Sequence, residues 1–175
     1  MVSQPINVLR VVIGLNQGGV QQGVLNLCRG LDSSQFKVLA CAIENGGAIA
    51  REIEEAGSEV IVLGYKRQPV KTILALIRLM RDRDVRIVHA SSYHPSLYAR
   101  IAGILAGVPV RMSYEHVVFD NRRPVRIFLN RLLSGFTQAF TAVGESVAVQ
   151  VKDWYGYSNS KVYVVHNGVD IKRFQ

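Results

Sequence analysis

Short apolar runs alternate with stretches of helical period along the whole chain, and no other feature limits its fold so sharply. The first run, Val8 to Ile13, passes through Gly14, Asn16, Gln17, Gly18 and Gly19 into a helical segment, Gln21 to Leu31. There Val20, Val24, Leu25, Leu27, Cys28 and Leu31 recur at helical spacing. Phe36 to Ile43 reads as a second strand between the turn residues Asp32-Ser33-Ser34 and Asn45-Gly46-Gly47. A short helix, Ala48 to Ala56, ends at Gly57 and leads to a third strand, Glu59 to Gly64. Pro69 opens a helix from Val70 to Arg83, with Ile73, Leu74, Leu76, Ile77 and Met80 as its apolar stripe, before a fourth strand, Val85 to Ser91. Helices at Pro95–Ala106, Pro124–Leu133 and Glu145–Trp154 then alternate with strands at Val110–His116, Ala139–Val143 and Lys161–Val165.

No tight hairpin signal joins these strands, so helical crossovers must connect them, and helical crossovers make neighbouring strands parallel. The expected fold is α/β: a doubly wound, Rossmann-like, about seven-stranded parallel sheet with helices on both faces. Residues 1–175 form one domain, long enough to bury roughly 70% of the surface of its unfolded chain. Hydrophobic residues make up 49% of the chain and charged residues 19%, a balance that excludes disorder away from the ends. No basic stretch precedes the first apolar run, as a secretion signal would require, and no uncharged run approaches the ~20 apolar residues of a membrane span. The two cysteines, Cys28 and Cys41, have no metal-ligand spacing and read as reduced core residues.

The net charge of +8 is uneven, because residues 66–131 hold 13 Lys and Arg against 4 Asp and Glu. An excess of this kind suits nucleic acid, an anionic membrane or a phosphorylated substrate. Arg78, Arg81, Arg83 and Arg86 also suit a solvated helix end. No nucleic-acid recognition motif is found, so no nucleic-acid partner is expected.

In open parallel sheets ligands bind beyond the carboxyl ends of the strands. That rule makes candidates of Asn16, Gln17, Gly18 and Gly19 after the first strand, and of His89, His116 and His166 at later strand ends, with His94 in the loop after His89. The glycine turn has neither dinucleotide nor P-loop spacing; it is open to reading as a tight turn or as an anion cradle of free helix amides. Each histidine equally suits a hydrogen-bonded structural role, and a zinc site of His89, His94 and His116 needs further ligands that the sequence does not supply. No nucleophile elbow is present.

Several motifs nonetheless occur together: Gly18-Gly19-Val20-Gln21 after the first strand, Ile87-Val88-His89, Ala99-Arg100-Ile101-Ala102-Gly103, Ala106-Gly107-Val108-Pro109, Tyr114-Glu115-His116, Thr141-Ala142-Val143 before Glu145, and Val165-His166-Asn167-Gly168-Val169-Asp170-Ile171-Lys172-Arg173-Phe174. With them the chain resembles the N-terminal domain of family-4 glycosyltransferases of the GT-B fold. The resemblance implies a second, C-terminal donor-binding domain absent from this chain, so that the chain is an excised or truncated half, inactive alone. It implies transfer of a sugar, of hexosyltransferase type, from a nucleotide-diphosphate sugar to an acceptor hydroxyl with retention, without metal or cofactor. His116 would be catalytic; Asn16, Gln17, Gly18, Gly19, Gln21, His89, His94 and Glu115 would bind substrate.

The resemblance also implies a carbohydrate or lipid-linked acceptor in polysaccharide or glycolipid synthesis. The protein would be cytoplasmic, at the inner face of the cell membrane, with Arg122, Arg123, Arg126 and Arg131 facing an anionic surface. Gly23, Ser91, Gly144-Glu145-Ser146 and His166 depart from the family pattern. The competing reading is a non-catalytic Rossmann-like module that binds an anionic ligand or partner.

Overall fold

A computed structural model describes residues 4–118 and 122–168. It contains a seven-stranded sheet in the order β3-β2-β1-β4-β5-β6-β7, every neighbouring pair parallel. The elements run β1 (Ile6–Gly14), α1 (Gly19–Gly30), β2 (Phe36–Asn45), α2 (Ile49–Glu55), β3 (Glu59–Val62), α3 (Pro69–Asp82), β4 (Val85–Ser91) and α4 (Tyr93–Ala106). They continue β5 (Val110–Glu115), α5 (Pro124–Ser134), β6 (Ala139–Ala142), α6 (Glu145–Tyr155), a 3-10 turn (Asn159–Lys161) and β7 (Val162–Val164). The expected α/β architecture is present, and its strand order reverses between β1 and β4.

Alternation along β1 divides the core. Leu9 and Val11 pack with Leu76 and Met80 of α3 and Ala99 and Ala102 of α4 on one face. Val12 packs with Val24 and Leu25 of α1 and Ile49 and Ile53 of α2 on the other. A third cluster joins Phe140 and Ala142 of β6 to Val147, Ala148 and Val151 of α6. Cys41 is buried in this core, Cys28 is half-buried, and both are free.

The sequence placed most boundaries within two residues, and the differences have physical causes. Helix α4 begins at Tyr93 rather than Pro95, because the first-turn amides of a helix have no intrahelical partner and a proline at the third position loses nothing. His94 therefore lies in the first helical turn and not in a loop. His89 falls two residues inside β4, in register with Arg10 of β1 and Met112 of β5, rather than at the strand end. β7 is shortened by the 3-10 turn before it. Of the closing motif, Val165 to Gly168 is described; 169–174 lies outside the described residues.

Among the described residues, two arginines are buried. Arg10 on β1 is 4% exposed and donates to the His89 carbonyl at 3.0 Å and to Ser91 Oγ at 2.7 Å. Arg100 on α4 is 1% exposed and donates to the Ser96 carbonyl, Tyr157 Oη and Asn130 Oδ1 at 3.0, 2.8 and 2.5 Å. Asn130 belongs to α5 and Tyr157 follows α6, so one side chain ties three segments together.

Candidate functional site

The glycine turn after β1 is shaped from behind. Leu15 N–H donates to the Asn45 carbonyl and Ile49 N–H to the Leu15 carbonyl, so the chain after β2 braces it. Gly47 at φ +63 makes that contact possible, since a Cβ there would lie 2.4 Å from Asn16 N. Asn16, Gln17, Gly18 and Gly19 are exposed, α1 has no side-chain N-cap bond, and a Cβ at Gly19 would meet nothing within 4 Å. Gln21 folds back, donating from Nε2 to the Gly14 carbonyl at 3.0 Å.

Across the β1–β4 switch point, Ser92 joins β4 to α4 with φ 69 and ψ 163. That region belongs almost wholly to glycine, and strain of this kind gathers at functional sites. The Tyr114 carbonyl accepts the Ser92 N–H at 3.1 Å and holds the residue there. Sequence reasoning missed Ser92, whose identity carries no trace of its backbone angles.

His116 follows β5 directly, its ring 6.0 Å from that of Tyr114. Its Nδ1 is buried without a hydrogen-bond partner. Burial pushes its pKa down, so the imidazole is neutral at pH 7. Glu115, 5% exposed, accepts Arg126 Nη2 at 2.9 Å. Burial raises the Glu115 carboxyl to about 7, with Arg126 as the largest opposing influence.

These residues frame two adjoining cavities. One, of about 490 Å³, lies between the starts of α4 and α5 and is lined by Tyr93, His94, Glu115, His116, Arg123 and Arg126. The second, of about 400 Å³, lies against the start of α1 and is lined by Gly19, Gln21, Ser91, His116 and Asn167. Ile13, Ser92 and His116 border both. Asn16, Gln17 and Gly18 line neither, and sit on the exposed turn beside the second.

His89 and His166 belong elsewhere. They line a third cleft of about 280 Å³ with Arg10, Tyr114 and Thr141. His89 Nε2 lies 3.2 Å from Thr141 Oγ1, and burial first, then Arg10, pushes its pKa well below 6.5. His94 and His116 thus share one cavity, and His89 and His166 another. Among the described residues no three His, Cys, Asp or Glu side chains gather in a metal-ligand cluster.

The four arginines expected to face a membrane also separate. Arg126 is turned inward, its side chain 14% exposed and its guanidinium 4.5 Å above the Tyr93 ring, because the buried Glu115 carboxylate draws it there. Arg123 lies on the rim of the larger cavity, Arg122 stacks 5.6 Å over Trp154, and Arg131 Nε donates to the Trp154 carbonyl. The outer side of α5 is instead apolar, with Val125, Phe128 and Leu132 at 69, 65 and 59% exposure. No helix among the described residues is long and apolar enough to cross a membrane.

Known proteins share this architecture. The chain is 27% identical to EpsF of Bacillus subtilis (strain 168), which carries a glycosyltransferase name, over 99% of this chain and 48% of EpsF. A glycosyltransferase from Rickettsia africae ESF-5 superposes with a TM-score of 0.78 at 16% identity, covering 98% of this chain and 45% of that one. Anabaena HepE, solved in complex with UDP, superposes at 0.74 and 15% identity, covering 95% and 45%. The chain thus spans about half the length of the relatives it matches, and its fold is that of a GT-B N-terminal domain. The sequence signature of Glycosyltransferase Family 4 matches residues 17–173, and the chain belongs to that family.

Proposed function

We propose that this chain is the acceptor-side half of a transferase that moves a sugar from a nucleotide-diphosphate sugar to an acceptor hydroxyl, of hexosyltransferase type and with retention. The observation that carries this reading is the wall of Ser92 and His116 between two cavities at the carboxyl edge of the sheet. The cavity at the start of α1 takes the donor's diphosphate and sugar. Its free helix amides and positive dipole end favour developing negative charge, and Gly19 leaves them open to close approach. The UDP bound by HepE supports a nucleotide as the donor's leaving group. The other cavity takes the acceptor, with His94 and Glu115 on its wall.

Neutral His116 faces the junction, where it hydrogen-bonds the sugar being transferred. No metal or cofactor is invoked; helix amides and basic side chains hold the diphosphate, and a C-terminal domain supplies the opposite wall. The acceptor is carbohydrate or lipid-linked, and Arg122, Arg123, Val125, Phe128 and Leu132 bring the domain to the anionic inner face of the cell membrane.

The test uses the longer transferase. His116→Ala is expected to lower kcat by about 100-fold or more with the fold intact. Gly19→Val is expected to lower kcat/KM without lowering the thermal midpoint, because its side chain enters open space on the substrate side. Wild-type rates from both variants would overturn the proposal.

A further inference from the structure

The larger cavity has an ion pair where burial of apolar surface would have served stability as well or better. Replacing a buried pair by well-packed apolar residues is often neutral or stabilising, so the pair needs another reason to be there. Glu115 ends β5 directly before His116. Arg126 reaches it from α5, with its guanidinium over an aromatic ring. Tyr93 of α4 lies beneath at 4.5 Å, and Asn130 Nδ2 donates to the Arg126 carbonyl at 3.0 Å. Asn130 Oδ1 in turn accepts Arg100. The charges cancel at the cavity floor, and the nearby Tyr93 and His94 rings meet edge to face at 5.0 Å.

We propose that Arg126 is a positioning residue that orients the Glu115 carboxylate to receive hydroxyls of an uncharged sugar at the end of the acceptor. The inference rests on reading this cavity as the acceptor site. A carboxylate accepts two adjacent hydroxyls, and the ring's apolar face rests on Tyr93 and His94. With its charge paired to Arg126 the floor offers no net positive charge to a phosphate or a uronic acid, so it favours a neutral sugar although the surrounding segment is basic. Arg123, on the exposed rim, is screened by solvent.

Protonation gives a readout that a purely structural role would not move. Burial pushes the Glu115 carboxyl up to about 7, while Arg126, the backbone N–H of His116 and Arg100 pull it down. Tyr155 of α6 lies near the same pair, and burial raises the pKa of its phenol. Burial also lowers the pKa of the His116 imidazole, and His94 is a further titratable group that faces this cavity. Sugar binding is therefore lost as pH falls through about 7, where the carboxylate takes up a proton.

The experiment titrates this protein with methyl glycosides of glucose, galactose, mannose and N-acetylglucosamine, and with methyl glucuronide, following amide NMR shifts at Tyr93, His94 and His116. At least one neutral glycoside is expected to give saturable shifts, and the glucuronide none. Arg126→Met is expected to weaken binding about tenfold or more and to raise the pH of half-loss, with Arg126→Lys partly restoring both. Unchanged shifts outside the cavity establish that the variant folds. The proposal fails if no neutral glycoside binds, if the glucuronide binds equally, or if Arg126→Met leaves affinity and pH midpoint unchanged. The broader reading is judged separately, by transfer in the His116→Ala enzyme.

Discussion

At the scale of single residues, backbone geometry decides two positions that side-chain chemistry would pass over. A side chain at Gly47 would take a positive φ and place its Cβ 2.4 Å from backbone atoms of Leu15 and Asn16. Gly47→Ala is therefore expected to lower stability by about 2–4 kcal/mol, the sum of left-handed strain and overlap with backbone that cannot move. Gly57 is the control: φ is +83, but a Cβ there meets nothing within 4 Å, so alanine incurs only about 1–2 kcal/mol of strain. Ser92 is the converse case. Glycine there removes about 1–3 kcal/mol of strain and adds about 0.5–1 kcal/mol of unfolded-chain entropy, so Ser92→Gly should raise the thermal midpoint by a few degrees. Thermal melts of the three variants check the ranking. A Ser92→Gly midpoint below wild type would mean that the residue is not strained.

Secondary elements were legible where their signal is local. β4 was read from the sequence at its observed ends, because its β-branched and apolar residues Val85, Ile87, Val88 and Ala90 stand between the charged end of α3 and the start of α4. The starts of α3 and α5 were marked by Pro69 and Pro124, which fit a first helical turn. Pro95 misled by the same rule, because any of the first-turn positions tolerates it. Within α5 the sequence displayed a basic helix but not its orientation. The inward turn of Arg126 depends on Glu115, 11 positions earlier on another element. Nor could helical spacing alone reveal that Val125, Phe128 and Leu132 face outward while Leu133 is buried.

That orientation sharpens the membrane test. Arg122→Gln with Arg123→Gln is expected to weaken binding to phosphatidylglycerol vesicles at low salt about 30-fold, at about 1 kcal/mol per arginine. Phe128→Ser should weaken it independently, and Arg126→Met should not alter it. If the double arginine variant binds these vesicles like wild type, α5 is not the membrane surface.

For the whole molecule, the division of labour between the cavities predicts what this chain does alone. The candidate site was visible in the sequence as a set of strand ends, because a parallel sheet brings all its carboxyl ends to one edge. The assignment of each residue to a cavity was not visible, since His89 and His116 sit at similar positions in sequence yet line different clefts. On the proposed reading the donor rests against Gly19, Gln21, Ser91, Ser92, His116 and Asn167, and a C-terminal domain supplies the facing wall. Pockets that hold a ligand of nucleotide size bury roughly 70–90% of it, and one wall does not achieve that. Rate acceleration further requires donors on the leaving diphosphate and on the transferred sugar to be in place together. Incubated with nucleotide sugars and an acceptor accepted by the longer transferase, the 175-residue chain is therefore expected to give no product. On the proposed reading the other cavity, lined by residues of β5, α4 and α5, takes the acceptor, so neutral glycosides should still bind. Turnover by the 175-residue chain would contradict the two-walled account, and would require the amides of α1 and the groups around Asn167 to hold the diphosphate unaided.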